Sequence, residues 1–133
     1  MRPQAFQDFA ADLLKNAPDV QRVQTLAEAG DDQHPYGLAL TVAGREVRWQ
    51  MHGQLAEGAK HEPVTAAVAG APAPFQAAPV AAAPDAWLAG VIGAAESPEI
   101  ASLDVWSARE DGGDQHGVTI TWHNGERTFI RKL

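Results

Sequence analysis

The chain has 133 residues, with ten Lys and Arg against seventeen Asp and Glu, a formal net charge of −7 and no cysteine. That length suits one domain, and 26 alanines among the apolar residues leave material for one modest core. The lack of cysteine excludes disulfides, thiol nucleophiles, Fe–S clusters and cysteine zinc sites, and the acidic balance disfavours non-specific nucleic-acid binding, which runs on clustered Lys and Arg.

The first residues, Met1 to Asp8, lack the continuous apolar stretch of a secretory signal, and no run of about 18 apolar residues occurs, so a cytoplasmic protein without a membrane partner is expected. Phe6, Phe9, Ala10, Leu13, Leu14 and Ala17 then form the stripe of an amphipathic helix. Pro3 suits its first turn and Pro18 ends it. Val23, Thr25 and Ala27 alternate with polar residues, the pattern of a strand. A hairpin about Ala43-Gly44 would pair Leu40 with Val47 and Leu38 with Trp49, stacking apolar residues on one face.

Residues 54–83 have a different character. Alanine and proline dominate, so this stretch buries little and reads as an extended, semi-rigid linker. Phe75, its only aromatic, is expected to pack on a neighbouring lobe or to act as a short anchor. Trp87, Leu88, Val91, Ile92 and Ala95 predict a second helix, with Asp85 as N-cap and Ser97-Pro98 as its close. Gly90 and Gly93 read as places where another helix approaches closely. Leu103, Val105 and Ser107 predict a strand, with Trp106 on its opposite, outward face. A two-residue turn at Asn124-Gly125 would pair Trp122 with Arg127, Ile120 with Phe129 and Val118 with Arg131.

The chain also resembles itself. Asp31-Asp32-Gln33-His34 matches Gly113-Asp114-Gln115-His116, and Gly37-Leu38-Ala39-Leu40-Thr41-Val42 matches Gly117-Val118-Thr119-Ile120-Thr121-Trp122. The expected fold is therefore α+β. Two duplicated α-β-β-β units, residues 1–53 and 84–133, form one pseudo-twofold two-layer domain with helices packed on antiparallel sheet, joined by the Ala/Pro-rich linker 54–83. The units could join edge to edge or face to face, with a groove where they meet.

Two residue sets are candidates for function. The repeated Asp-Gln-His offers Asp32, His34, Asp114 and His116 as ligands for a divalent metal, although Asp and Gly at these points are also what a strand-to-strand turn demands. Asp31-Asp32 and Glu110-Asp111 lack EF-hand spacing. His52, His61 and His123 read as surface residues. No nucleophile elbow, phosphate loop, dinucleotide loop or His-Glu-x-x-His is present. The second set is Trp106, Arg109, Arg127 and Arg131, a surface suited to a protein or peptide partner, while Asp104, Glu110 and Asp111 beside it weigh against nucleic acid. The acidic excess sits mostly in the second unit, so an anionic partner is expected, if anywhere, on the first. The function expected is a non-enzymatic interaction or regulatory module without cofactor, monomeric or homodimeric. A metal-dependent enzyme with its site between the units is the alternative, and a nucleic-acid binder is the second alternative.

Overall fold

A computed structural model describes residues 1–61, 63–111 and 114–133. The element order is α1 (Pro3–Lys15), β1 (Val20–Thr25), β2 (Gly37–Val42), β3 (Arg45–Gln54), α2 (Pro84–Ala94), β4 (Ile100–Val105), a 3₁₀ turn (Trp106–Ala108), β5 (Gly117–Trp122) and β6 (Arg127–Lys132). The protein is α+β: two helices pack on one face of a six-stranded antiparallel sheet of order β1-β2-β3-β6-β5-β4. The Gly112-Gly113 turn read from the sequence lies outside the described residues. Among the described residues no helix is long and apolar enough to cross a membrane.

Helix α1 forms where the stripe predicts, with Pro3 in its first turn and Phe6, Ala10 and Leu14 buried. The core lies between the helices and one sheet face. It is built from Phe6, Leu14, Leu38, Leu40, Trp49, Met51, Trp87, Ile92, Ile120, Trp122 and Ile130, among others. Phe6 meets Trp122 edge-on, with centroids 6.0 Å apart, so the first helix reaches β5 from the other end of the chain. Where residues 1–53 meet 84–133, β3 and β6 are hydrogen-bonded neighbours, with Gln50 opposite Arg131. The join is edge to edge, and the sheet is continuous across it.

One hairpin has the expected register and the other does not. About Ala43-Gly44 the register is as read: Leu40 faces Val47 and Leu38 faces Trp49. Both turn residues have positive φ, 49° at Ala43 and 81° at Gly44, as a two-residue hairpin turn needs. The Asn124-Gly125 turn is longer than two residues, and its register is shifted by one from that expected. Val118 faces Ile130 and Ile120 faces Thr128. Here only Gly125 has positive φ, 91°. Trp122 N–H donates to the Glu126 carbonyl (2.9 Å), and the Asn124 side chain accepts from Glu126 N–H (3.0 Å), so three residues close the loop. The longer turn places Thr128 and Ile130 in the core, with Arg127 and Arg131 on the opposite face.

Asp85 is not the N-cap of α2; Ala83 is, and Asp85 lies inside the first turn, fully buried. Residues 55–83 contain no helix or strand among those described, and residues 75–78 of this stretch pack against α2. Gly70 N–H donates to the Pro98 carbonyl (2.7 Å), and Ala73 is buried in the core. Gly90 and Gly93 face this segment and not another helix: a Cβ at Gly90 would lie 3.1 Å from the Gln76 carbonyl oxygen, and one at Gly93 would collide with Phe75. Phe75 thus packs on α2, although 42% of it stays exposed.

Candidate interaction surface

Side chains alternate across a strand, so the six strands that bury one face present another set of residues on the second face. Arg22 and Gln24 of β1, Ala39 and Thr41 of β2, Arg48, Gln50 and His52 of β3, Arg127, Phe129 and Arg131 of β6, Thr119 and Thr121 of β5, and Ser102 and Asp104 of β4 share it by register. Both helices lie on the other face, and residues 70–78 run along α2 on that side. Arg22, Arg127, Arg131, His52, Ser102 and Asp104 are exposed.

Two places on this face are covered from within. Trp106 follows β4 and folds back over Gly117, where a Cβ would meet its indole and would lie 2.6 Å from the Ile130 carbonyl oxygen. The Trp106 indole N–H donates to Thr119 Oγ1 (2.9 Å), which fixes the ring on the sheet. Arg109 lies over the same ring, its guanidinium carbon 5.7 Å from the centroid. Trp106 therefore sits in a 3₁₀ turn and is half-buried, not carried outward on a strand as its alternation predicts. At the other end Leu26, the residue after β1, covers Gly37 in the same way and is 1% exposed.

Asp85 holds the Trp106 turn in place. Its carboxylate accepts hydrogen bonds from the Ser107 hydroxyl (2.6 Å), Ser107 N–H (2.9 Å) and Gly117 N–H (3.0 Å), with His116 Nδ1 3.4 Å away. Burial by itself would push this carboxyl up, but the Ser107, Gly117 and His116 hydrogen bonds outweigh it and hold the group below the ordinary 3.8. On the first half Gln7 of α1 does a similar task, its side-chain oxygen accepting from Gly37 N–H (2.9 Å). Glu126, 2% exposed, is a second buried carboxylate. It contacts the Met1 ammonium and lies 3.6 Å from Arg2 Nε, tying the start of α1 to the β5–β6 turn. Desolvation would raise its carboxyl, and those cations with Asn124 bring it below 4.5. Neither carboxylate was legible as buried from local sequence, because each is partnered by residues far along the chain.

Arg109 is engaged by Asp104, its Nε 3.1 Å from Oδ2, and Arg48 lies 3.4 Å from Glu46. Among the described residues Arg22, Arg127 and Arg131 make no ion pair. Five of the seven arginines thus lie on or over this face, in a chain of net charge −7; among the described residues Glu46 and Asp104 are the acids on its strands, and Asp114 of the loop before β5 lines a cleft with Trp106 and Arg131. Most of the other described acids lie on the helices and in the loops. The basic residues come from both halves of the chain, so the separation of charge is between faces and not between halves.

The metal candidates divide. His34 Nδ1 pairs with Asp31 (2.7 Å), whose carboxylate also accepts from Gln33 and His34 N–H, the bonding of a loop turn. Asp32 is exposed beside it. His116 is turned to Asp85, and Asp114 is exposed. His34 and His116 precede Gly37 and Gly117, which share one row, Gly37–Gln50–Arg131–Gly117, and so lie three strand spacings or about 14 Å apart. Among the described residues no three His, Asp or Glu side chains gather as metal ligands. A cleft of about 580 Å³ does bring together four of the residues singled out in the sequence, Trp106, Asp114, His116 and Arg131, with Lys132 beside them. Compared with protein-family models, curated proteins and solved structures, the chain matches none.

Proposed function

We propose that this protein is a non-enzymatic interaction module that binds a protein or peptide partner through its helix-free sheet face. The observation that carries the reading is the concentration of arginine there: Arg22, Arg48, Arg109, Arg127 and Arg131 on one face of an acidic chain. A face left without a covering layer, with long side chains that can reach a partner, suits recognition. The two buried carboxylates serve the fold: Asp85 fixes the Trp106 turn and Glu126 fixes α1, so neither is presented to a substrate.

We also read the chain as a duplicated α-β-β-β unit, residues 1–53 and 84–133, with a connecting linker. The same element order in both stretches, a bulge near the start of β1 and of β4, and the matched covers Leu26–Gly37 and Trp106–Gly117 support it. A pseudo-twofold axis then passes by the Gln50–Arg131 pair. In this reading the sheet face is a two-fold platform.

The test is affinity capture from the cells that make the protein, with three baits. Wild type and a helix-side variant, Asp8→Lys with Asp12→Lys, should retain the same partners, and Arg127→Glu with Arg131→Glu should lose them. Partners held equally by all three baits would overturn the assignment to this face.

A further inference from the structure

Resting on the reading of the sheet face as the interaction surface, we infer that its occupant is an acidic, extended polypeptide segment of about ten residues. The argument is the placement of the arginines. By register Arg22 lies in the row of Thr41 and Glu46, Arg48 two residues further along β3, Arg131 opposite Gln50, and Arg127 opposite Gln54. With strands about 4.8 Å apart and residues about 3.3 Å apart along them, successive arginines lie about 8–13 Å from one another, and the band crosses the sheet diagonally over about 30 Å. An extended chain covers that length in about nine residues. Carboxylates two to four residues apart in such a chain match the spacing, and guanidinium pairs with carboxylate through two parallel hydrogen bonds.

The aromatic groups decide between a polypeptide and a nucleic acid. A single-stranded nucleic acid on a sheet needs ring faces open for base stacking. Trp106 is engaged from within: its ring fills the space of a Gly117 side chain, its N–H is bonded to Thr119, and Arg109 lies over it. Phe129 is half-buried and tilted against His52, with centroids 5.7 Å apart. What remains is a band of arginines, interrupted by Glu46 beside Arg48, whose neighbouring rings are already engaged within the chain. The chain's net negative charge is no barrier, because at about 0.1 M salt charges beyond about 10 Å are largely screened.

The experiment is fluorescence anisotropy on the full chain in about 0.1 M NaCl, with labelled peptides of ten glutamates, five glutamates and ten lysines, and a ten-nucleotide single-stranded DNA of mixed sequence. The ten-glutamate peptide should bind and weaken as NaCl is raised. The five-glutamate peptide should bind at least tenfold more weakly, because it spans half the band, and the lysine peptide should not bind. Arg48→Gln and Arg131→Gln should each weaken the ten-glutamate peptide at least threefold, while Arg45→Gln, at the β2–β3 turn, should leave it unchanged. No binding of the ten-glutamate peptide, or binding indifferent to Arg48→Gln and Arg131→Gln, overturns the inference. DNA binding within tenfold of that peptide or tighter overturns the choice of a polypeptide. Should the capture experiment lose its partners with the face variant while the ten-glutamate peptide fails to bind, the partner chemistry falls and the interaction face stands.

Discussion

The indole of Trp106 occupies the space that a side chain at Gly117 would fill. One aromatic and one glycine, eleven residues apart, thereby set the shape of the sheet's second face at its β4–β5 corner. Gly117→Ala would place a methyl group against the ring and 2.6 Å from the Ile130 carbonyl. Such overpacking should cost about 1–3 kcal/mol in urea unfolding. Trp106→Ala in the Gly117→Ala background should recover part of the loss, because the ring is one of the two obstacles.

Asp85→Ala should destabilise more than Gly117→Ala. It strands Ser107 N–H and Gly117 N–H, both bonded to a carboxylate of zero exposure. Leaving two donors unpaired in a desolvated site costs about 2–4 kcal/mol. Chemical denaturation measures it, and Asp85→Asn, which keeps one acceptor oxygen, should fall between wild type and Asp85→Ala.

The same carboxylate makes an acid limb. Its folded pKa lies below the ordinary 3.8, so its contribution is fully present above about pH 4 and is lost as pH falls through the folded value. Glu126, lowered from 4.5, acts in the same direction. Stability followed from pH 6 to pH 2 should therefore drop at the acid end, and the drop should be shallower in Asp85→Asn, which has no proton to take up at that site.

Ala43 is held at φ 49°, a conformation that costs a residue with a Cβ about 1–2 kcal/mol. Asn tolerates it, and Asn-Gly is the favoured pair for a two-residue hairpin turn. Ala43→Asn should thus raise the thermal midpoint by a few degrees, consistent with a gain of about 0.5–1 kcal/mol. A fall in the midpoint would show that the turn does not hold the left-handed geometry at position 43.

Much of the architecture was written locally. The Phe6–Leu14 stripe, the Ala43-Gly44 hairpin and the second helix all follow from periodicity and turn residues that read out over a few positions. The candidates Arg127 and Arg131 were legible as a pair, because alternation along β6 sets them on one face, whereas Trp106 reaches that face through a 3₁₀ turn. Their neighbours were not: Arg22 and Arg48 join them only once β1, β2, β3 and β6 lie side by side.

By itself, then, the sequence determined the two helices, the presence of two hairpins and an Ala/Pro-rich stretch without regular structure, since each depends on short-range backbone preference. Tertiary structure decided the rest. The register of the second hairpin is that which puts Ile130 and Thr128 into the core, and the turn lengthens by a residue to permit it. Asp85 became a buried clasp in place of a cap because Ser107 reaches it from the 3₁₀ turn after β4 and Gly117 from β5. The charge of −7 is a sum over the chain, but the β3–β6 pairing sorts it, gathering arginines from both halves on the face that the helices leave open. Long-range strand pairing fixes which residues are neighbours, and no local pattern carries that information.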